Sequence, residues 1–430
     1  MLKYGRGSDY MKVCVLTLGC KVNAYESELI VERFKSAGYE VTSEQSESDV
    51  IVINTCTVTN QADSKSRKMI RHARRENSDA IIVVCGCSAE NHKDALFDLD
   101  IDILIGNKDK SKIVELVNAF RDGNEKVSKF YDLRSTEFED MRINNFAGKT
   151  RGFVKIQDGC NNFCSYCIIP FMRGNIRSKA LDVAIDEINC LADNGYQEIV
   201  LTGIHTGSYG DGEDFDIVDL IREVSKNDNL KRIRISSIEI TELDEKFMEE
   251  LKVNSKICDH MHVPIQSGSN DVLKGMNRKY NIDEYKAKIE ELRSIREDIN
   301  ITTDLIVGFP EETDDNHLET ISNLNDIGYS KIHTFPYSMR SGTKASLMKQ
   351  VNDTVKKNRV DEVLRLSDEL ESKYYQKFIG RTLEVLVEDG KSGYTSNYIK
   401  VHLDKECEIN TFVNVRIDSV DGISVNGIVI

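Results

Sequence analysis

Cys160-Asn161-Asn162-Phe163-Cys164-Ser165-Tyr166-Cys167 sets three cysteines close together in one loop, with no fourth nearby. A [4Fe–4S] cube offers four irons, each normally taking one thiolate. Three thiolates from a single loop hold three corners and leave the fourth iron open to a small molecule. A structural zinc site would want four ligands and a second pair at finger spacing, and none follows. The loop lies just beyond the carboxyl end of a strand candidate at 153–157. A helix is expected to follow it, N-capped by Ser178 and burying Leu181, Ile185, Ile188 and Leu191. A ligand loop at the carboxyl end of a strand is where α/β barrels carry their chemistry.

Working outward, strand candidates at 153–157, 199–201, 233–236, 261–265, 301–307 and 332–335 recur with helical patterns between them. Six strand–helix units are too few for a closed eightfold barrel. They predict an incomplete (β/α)6 barrel over 151–377, its open side wide enough for a large substrate. Upstream, short apolar strands at 13–18, 50–53, 80–84 and 102–105 alternate with helices at 26–37, 64–75 and 111–120. That rhythm predicts an α/β domain over 11–120, built on an open parallel sheet covered on both faces. Residues 121–150, with Asp122-Gly123-Asn124 and Asn144-Asn145, read as a linker, and residues 1–10 as an extension. A charged helix at about 353–378 leads into alternating strands at 383–387, 398–401, 412–417 and 423–430. Those strands predict a small all-β, OB-like module over 378–430.

Cys20, Cys56 and Cys87 each follow one of the first three strands. The carboxyl ends of an open parallel sheet form the crevice where ligands bind, so three thiols distant in sequence are expected to meet there. Cys14 and Cys85 lie inside apolar runs and read as core. Cys87 is preferred over Cys85 as the third ligand because Gly86 ends the strand and frees the next residue to face the crevice.

Eleven cysteines without an export signal argue for reduced thiols and metal ligation, hence a cytoplasmic protein. No run of eighteen apolar residues is present, so a membrane is not an expected partner. The net charge of −15 weighs against nucleic-acid binding over the surface as a whole. Lys68, Arg71 and Arg75, on one face of the helix after Cys56, supply a local basic stripe.

The cysteine loop resembles the signature of radical S-adenosylmethionine (SAM) enzymes, and the resemblance extends along nearly the whole chain. Thr17-Leu-Gly-Cys-Lys-Val-Asn-Ala-Tyr-Glu-Ser27, Asn54-Thr-Cys-Thr-Val-Thr-Asn60 and Gly86-Cys-Ser-Ala89 resemble the N-terminal blocks of the methylthiotransferases. Leu201-Thr-Gly-Ile-His-Thr-Gly-Ser-Tyr-Gly210, His262-Val-Pro-Ile-Gln-Ser-Gly268 and Asp304-Leu-Ile-Val-Gly-Phe-Pro310 resemble that family's barrel blocks. Gly380-Arg-Thr-Leu-Glu-Val-Leu-Val-Glu388 resembles the start of its TRAM module. Within the family, the first and fourth of these blocks fit the branch acting on threonylcarbamoyladenosine in tRNA.

The resemblance implies two [4Fe–4S] clusters, one held by Cys160, Cys164 and Cys167 and the other by Cys20, Cys56 and Cys87. It implies that a 5′-deoxyadenosyl radical takes hydrogen from C2 of the adenine beside the anticodon (position 37). The second cluster would then present sulfur, and a second SAM would supply the methyl group. Tyr166, Thr202, Gly203 and Gln266 are the implied SAM-site residues. His205 faces the expected barrel mouth, and Arg173 and Arg177 are candidates to neutralise a SAM carboxylate or a phosphate. The implied partners are a tRNA and a reductant such as flavodoxin or ferredoxin, with no DNA. Three positions depart from the family pattern: Ile240 stands for the common Pro, Ser88 for an aromatic, and Glu311 for the Gly frequent after Phe-Pro. The same chemistry on isopentenyladenosine or on a ribosomal-protein aspartate stays open. So do another radical SAM reaction and a non-enzymatic iron–sulfur or zinc RNA-binding role.

Overall fold

The computed structural model describes residues 10–123, 125–143 and 150–430. Asn124, the Asn144-Asn145 pair and all but the last residue of the 1–10 extension lie outside the described residues. The chain divides into two compact bodies. The first comprises the residues up to Ile143 together with Asp158–Asn161 and Ile168–Arg177; the second takes Asn144–Gln157, Asn162–Cys167 and Ser178–Ile430.

The first body is built on six parallel strands. In chain order they are β1 (Lys12–Thr17), β2 (Glu40–Val41), β3 (Val50–Thr55), β4 (Ile81–Gly86), β5 (Ile103–Ile105) and β6 (Val127–Lys129). Their spatial order is β2-β1-β3-β4-β5-β6. The helices are α1 (Lys21–Ser36), α2 (Asn60–Glu76), the short α3 (Cys87–Asn91) and α4 (Lys93–Phe97), α5 (Ile113–Gly123) and, from the later segment, α6 (Ile169–Arg173). The period of two explains why β3 and β4 read as unbroken apolar runs. Val50, Val52, Ile81, Val83 and Cys85 pack on one face against Ile30 and Phe34 of α1 and Ile113 and Val117 of α5. Ile51, Ile53, Cys14, Ile82 and Val84 pack on the other against Ile70 and Ala73 of α2. With both faces covered, each Ile or Val contributes about 1.5–3 kcal/mol relative to exposure. Cys14 and Cys85 are thus core residues.

Two strands were invisible to periodicity. β2 and β6 are short edge strands, and β6 arises inside the stretch expected to be a linker. An edge strand pairs on one side only and needs little apolar content.

In the second body six parallel strands form two three-stranded sheets. They are β7 (Arg151–Lys155), β10 (Glu198–Thr202) and β11 (Arg232–Ile235), then β12 (His260–His262), β13 (Asn300–Val307) and β14 (Lys331–Pro336). The two-residue strands β8 (Gln157–Asp158) and β9 (Arg177–Ser178) flank the cysteine loop in sequence. A parallel bridge from Ile233 to Ile257 continues β11 toward β12. Helices α7 (Leu181–Asp193), α8 (Ile217–Val224), α9 (Glu245–Val253), α10 (Asn270–Gly275), α11 (Ile282–Ile295) and α12 (Asp314–Ile327) connect them, which is the incomplete barrel expected from six units. Ser178 is not the cap of α7. That helix starts after Ala180 with no side-chain cap, and Ser178 Oγ instead accepts the Gly210 N–H at 2.8 Å. On α7, Ile188 and Leu191 are buried as expected, while Leu181 and Ile185 are only half-buried.

Helix α13 (Asp353–Gln376) leads to a closed antiparallel-dominated barrel of β15 (Thr382–Val387), β16 (Ser392–Thr395), β17 (Lys400–Leu403), β18 (Phe412–Asp421) and β19 (Ser424–Val429). β16, Ser-Gly-Tyr-Thr, carries too few apolar residues to announce itself in sequence. The barrel core, Val385, Ile399, Val401, Val415 and Ile417, is capped by Tyr374, Tyr375 and Phe378 at the end of the helical segment.

Candidate active site

Two glycines shape the carboxyl edge of the first body's sheet. Gly19 (φ +115°) lets the chain turn from β1 into α1, and a Cβ there would stand 2.9 Å from Cys56 Cβ. Gly86 (φ +97°) ends β4, and a Cβ there would stand 2.5 Å from the Thr55 carbonyl oxygen. Only a residue without a side chain meets both demands. Each glycine delivers the next residue, Cys20 at the N-cap of α1 and Cys87 at the first position of α3. Cys56 follows β3 directly, its backbone bonded at N and O to Ser66 Oγ of α2. The three thiols therefore stand at three successive strand ends of one sheet. Burial pushes the Cys56 thiol up to about 11; the Val58 backbone N–H and the charge of Arg173 oppose that rise, and the neighbouring Cys87 and Cys20 add to it.

Beneath this edge lies a buried ionic network. Arg173, wholly buried, bonds Glu26 Oε1 at 3.0 Å, Asp158 Oδ1 at 3.1 Å and Asn23 Oδ1 at 2.7 Å. Lys110 pairs with the other oxygen of Glu26 and donates to Asn107 Oδ1 at 3.0 Å. Asn107 in turn donates to Cys87 Sγ at 3.4 Å. Arg173 and Arg177 thus do not serve as free anion receptors: Arg177 donates to the Leu133 carbonyl at 2.8 Å and faces Asp158. The sequence did hold a sign of the network, because Glu26 interrupts the apolar spacing of Val22 and Ile30 on α1. Ser88, at the family's aromatic position, is buried and donates to Asp63.

Two observations bear on a cluster at this edge. Among the described residues no group of three His, Cys, Asp or Glu is drawn together tightly enough for a single ion. A cube, with its four irons, spaces its ligands more widely than one ion does. Arg173 Nε is buried with no hydrogen-bond partner among the described residues, although a buried donor left unpaired costs about 1–3 kcal/mol. Its guanidinium charge also acts on Cys87 and Cys20. An N–H donor awaiting an acceptor beside three thiols fits a group rich in sulfide.

The cysteine loop contributes to both bodies. Cys160, in the first, donates its N–H to the Gly174 carbonyl at 3.1 Å. Cys164 and Cys167, in the second, share a turn in which the Cys167 N–H bonds the Cys164 carbonyl at 3.0 Å. Tyr166 packs against the cluster of Val272, Met276, Phe309, Tyr337 and Ala345, where burial holds its hydroxyl well above the usual range. Phe163 is half-exposed at φ +45°, a conformation that bulky residues adopt only when their surroundings enforce it.

The remaining expected residues fall at the ends of the second body's strands. Thr202 is buried in register with Lys155. Gly203 has no side chain because Gln157 occupies the space: a Cβ would lie 2.8 Å from Gln157 Oε1. The close approach is therefore to the chain itself. His205 is held between Glu242, 2.8 Å from its Nε2, and Ser208, 2.9 Å from its Nδ1, while its backbone N–H donates to Gln157 Oε1. Gln266 adopts φ +62° in a bridge with Leu305, its N–H bonding the Asp304 carbonyl. Sequence reading missed Arg278, whose guanidinium donates to Cys164 Sγ at 3.4 Å and pairs with Glu239.

Six parallel strands with a three-cysteine loop after the first define a radical SAM fold, and comparisons agree. Residues 154–324 match the radical SAM superfamily, and residues 12–106 match the uncharacterized protein family UPF0004. A radical SAM methyltransferase, TsrM from Kitasatospora setae, solved with cobalamin and a [4Fe–4S] cluster bound, shares the fold with a TM-score of 0.59. The match covers 78% of this chain and 77% of that one at 15% identity. The chain is 41% identical to the threonylcarbamoyladenosine tRNA methylthiotransferase MtaB of Bacillus subtilis over 90% of its length and 88% of the relative's. It is 33% identical to the tRNA-2-methylthio-N(6)-dimethylallyladenosine synthase of Alkaliphilus oremlandii, covering 99% and 94%. The chain belongs to the radical SAM methylthiotransferase family.

Proposed function

We propose that this enzyme adds a methylthio group to C2 of N6-threonylcarbamoyladenosine at position 37 of tRNA, in the cytoplasm. What supports the reading is the position of Cys20, Cys56 and Cys87 at three successive strand ends, together with a buried Arg173 Nε that has no hydrogen-bond partner among the described residues. The greater identity to the threonylcarbamoyladenosine relative supports the choice of base. Cys160, Cys164 and Cys167 would hold one [4Fe–4S] cluster, and Cys20, Cys56 and Cys87 a second. Bound clusters and SAM supply the radical and the sulfur chemistry. The chain's own part is to hold these groups, to exclude water, and to receive an adenosine splayed from its loop. Asn107 and Arg173 would donate to the sulfurs of the second cluster, with Glu26 and Asp158 fixing the guanidinium and Lys110 holding Glu26 and Asn107. Tyr166, Thr202, Gly203 and Gln266 stand as the SAM-facing set, Gly203 through its contact with Gln157. The exposed stripe of Lys68, Arg71 and Arg75 on α2 would meet phosphate, and a flavodoxin or ferredoxin would supply electrons.

The test is nucleoside mass spectrometry of tRNA from cells with the gene deleted and restored. Gene-dependent 2-methylthio-threonylcarbamoyladenosine is expected. A change confined to the isopentenyl species moves the enzyme to the other branch, and no change in any tRNA nucleoside overturns the substrate class. In purified enzyme, replacing Cys20, Cys56 and Cys87 by Ala is expected to preserve SAM cleavage and stop sulfur insertion. Replacing Cys160, Cys164 and Cys167 is expected to abolish SAM cleavage.

A further inference from the structure

The cysteine loop is clamped, within the second body, by the turn that follows α10. Ser165 N–H bonds the Met276 carbonyl at 3.0 Å and Ser165 Oγ the Gly275 carbonyl at 2.7 Å. Asn277, at φ +62°, donates from Nδ2 to the Phe163 carbonyl at 3.2 Å. A fourth bond, Ala345 N–H to the Ser165 carbonyl at 2.9 Å, closes the loop from the other side. The residue that this clamp delivers is Arg278. Its side chain is only 4% exposed, and all three of its nitrogens are engaged. One donates to Cys164 Sγ at 3.4 Å, one pairs with Glu239, and Nε donates to the Tyr280 hydroxyl at 3.1 Å. The guanidinium also lies over the Tyr280 ring, and the Tyr280 hydroxyl donates to the Ile265 carbonyl at 2.9 Å.

We propose that Arg278 and Glu239 form a positioning dyad that sets the reduction potential of the cluster held by Cys160, Cys164 and Cys167. The inference rests on the assignment of Cys164 as a ligand of that cluster. Hydrogen bonds to ligand sulfurs and nearby charge are levers on an iron–sulfur potential. One-electron reduction adds a negative charge beside Cys164, and the Arg278 cation stabilises that charge most. Glu239, paired with another nitrogen of the same guanidinium, offsets part of the effect. The sulfur contact of Arg278 thus eases reduction, and Glu239 restrains it while holding the guanidinium in place. Buried charges paired in this way interact strongly, because little water screens them.

The dyad makes a test of opposite signs. EPR-monitored redox titration, without SAM, is done on the full chain carrying Cys20, Cys56 and Cys87 as Ala, so that one cluster remains. Iron content is measured on every sample. Arg278→Gln is expected to lower the midpoint, by about 59 mV for each tenfold loss in preference for the reduced form. Glu239→Gln is expected to raise it by leaving the arginine charge uncompensated. Full iron content with both midpoints unmoved, or moved in the same direction, overturns the dyad while leaving the cluster assignment standing. Should Arg278→Gln fail to fold, the sign of the Glu239→Gln shift alone decides: upward supports the dyad, zero or downward overturns it. Absence of any cluster signal in the parent protein overturns the assignment of Cys164, and the dyad with it.

Discussion

Glu311 shows how one residue departs from its family and what that costs. It follows Phe309-Pro310 at φ +68°, exposed, with its N–H bonded to the Lys349 carbonyl at 3.0 Å. A left-handed backbone is open to glycine and costs other L-residues about 1–2 kcal/mol, which is why glycine is frequent there. Glu311→Gly is expected to stabilise the protein by about 1 kcal/mol, part of the relieved strain being offset by unfolded-state entropy. Urea denaturation checks this, and a loss of stability would show that the Glu311 side chain makes a contribution larger than the strain. Arg173 makes the complementary point. Its sequence position beside the cysteine loop suggested a role toward SAM, yet folding buries it against Glu26 and Asp158 in the first body.

At the scale of elements, function depends on where helices begin. Helix α2 starts at Asn60 because Thr59 Oγ1 accepts the Ala62 N–H at 3.1 Å. From that start Ser66 falls between one and two turns along the helix, where its hydroxyl meets the backbone of Cys56. Thr59→Ala is expected to cost about 1 kcal/mol, the usual value of an N-cap. Thermal unfolding of the purified protein measures it. An unchanged midpoint would mean that the end of α2 is fixed by packing instead of its cap. The strand ends were legible in sequence because β1, β3 and β4 are apolar runs terminated by Gly or Cys. The start of α7 was not. Ser178 has the chemistry of a cap, but its hydroxyl is taken by Gly210, a residue 32 positions away.

At the scale of the second body, the C-terminal barrel is bolted to the partial barrel by arginines from β11. Arg234 donates to the Ser396 carbonyl at 3.1 Å, and Arg232 to the Tyr394 carbonyl at 3.0 Å and the Glu384 carbonyl at 2.8 Å. Both turn back to Glu198, which is wholly buried. Burial pushes the Glu198 carboxyl up, but the charge and hydrogen bond of Arg234, joined by Arg151 and Arg232, hold it below its ordinary 4.5. A carboxyl depressed in the folded state stabilises the fold above its unfolded value and loses that contribution as pH falls through the folded one. Stability is therefore expected to fall below about pH 4.5 through this group, and the Glu198→Gln variant to show a shallower acid slope. Arg234→Met leaves Glu198 without its nearest partner and is expected to cost about 3–5 kcal/mol. Urea denaturation of the intact chain measures the loss, and limited proteolysis shows whether the C-terminal barrel is released first. A loss under about 1 kcal/mol would sink the view that this pair anchors the barrel.

The sequence by itself determined the classes of element, the six strand–helix units, the cysteine loop and the placement of three further cysteines at strand ends. These are local or periodic features, written in spacing that any reader of the chain can follow. Only the tertiary structure decided that Arg173 belongs with Glu26, that Gly203 yields to Gln157, and that Arg278 reaches Cys164. Each of those contacts joins residues separated by 46 to 147 positions, as 278 to 164, 203 to 157 and 173 to 26 show. The edge strands β2, β6 and the polar β16 also waited for the fold. Their hydrogen bonds come from neighbours brought alongside by packing, and their own side chains carry too little apolar pattern to predict it.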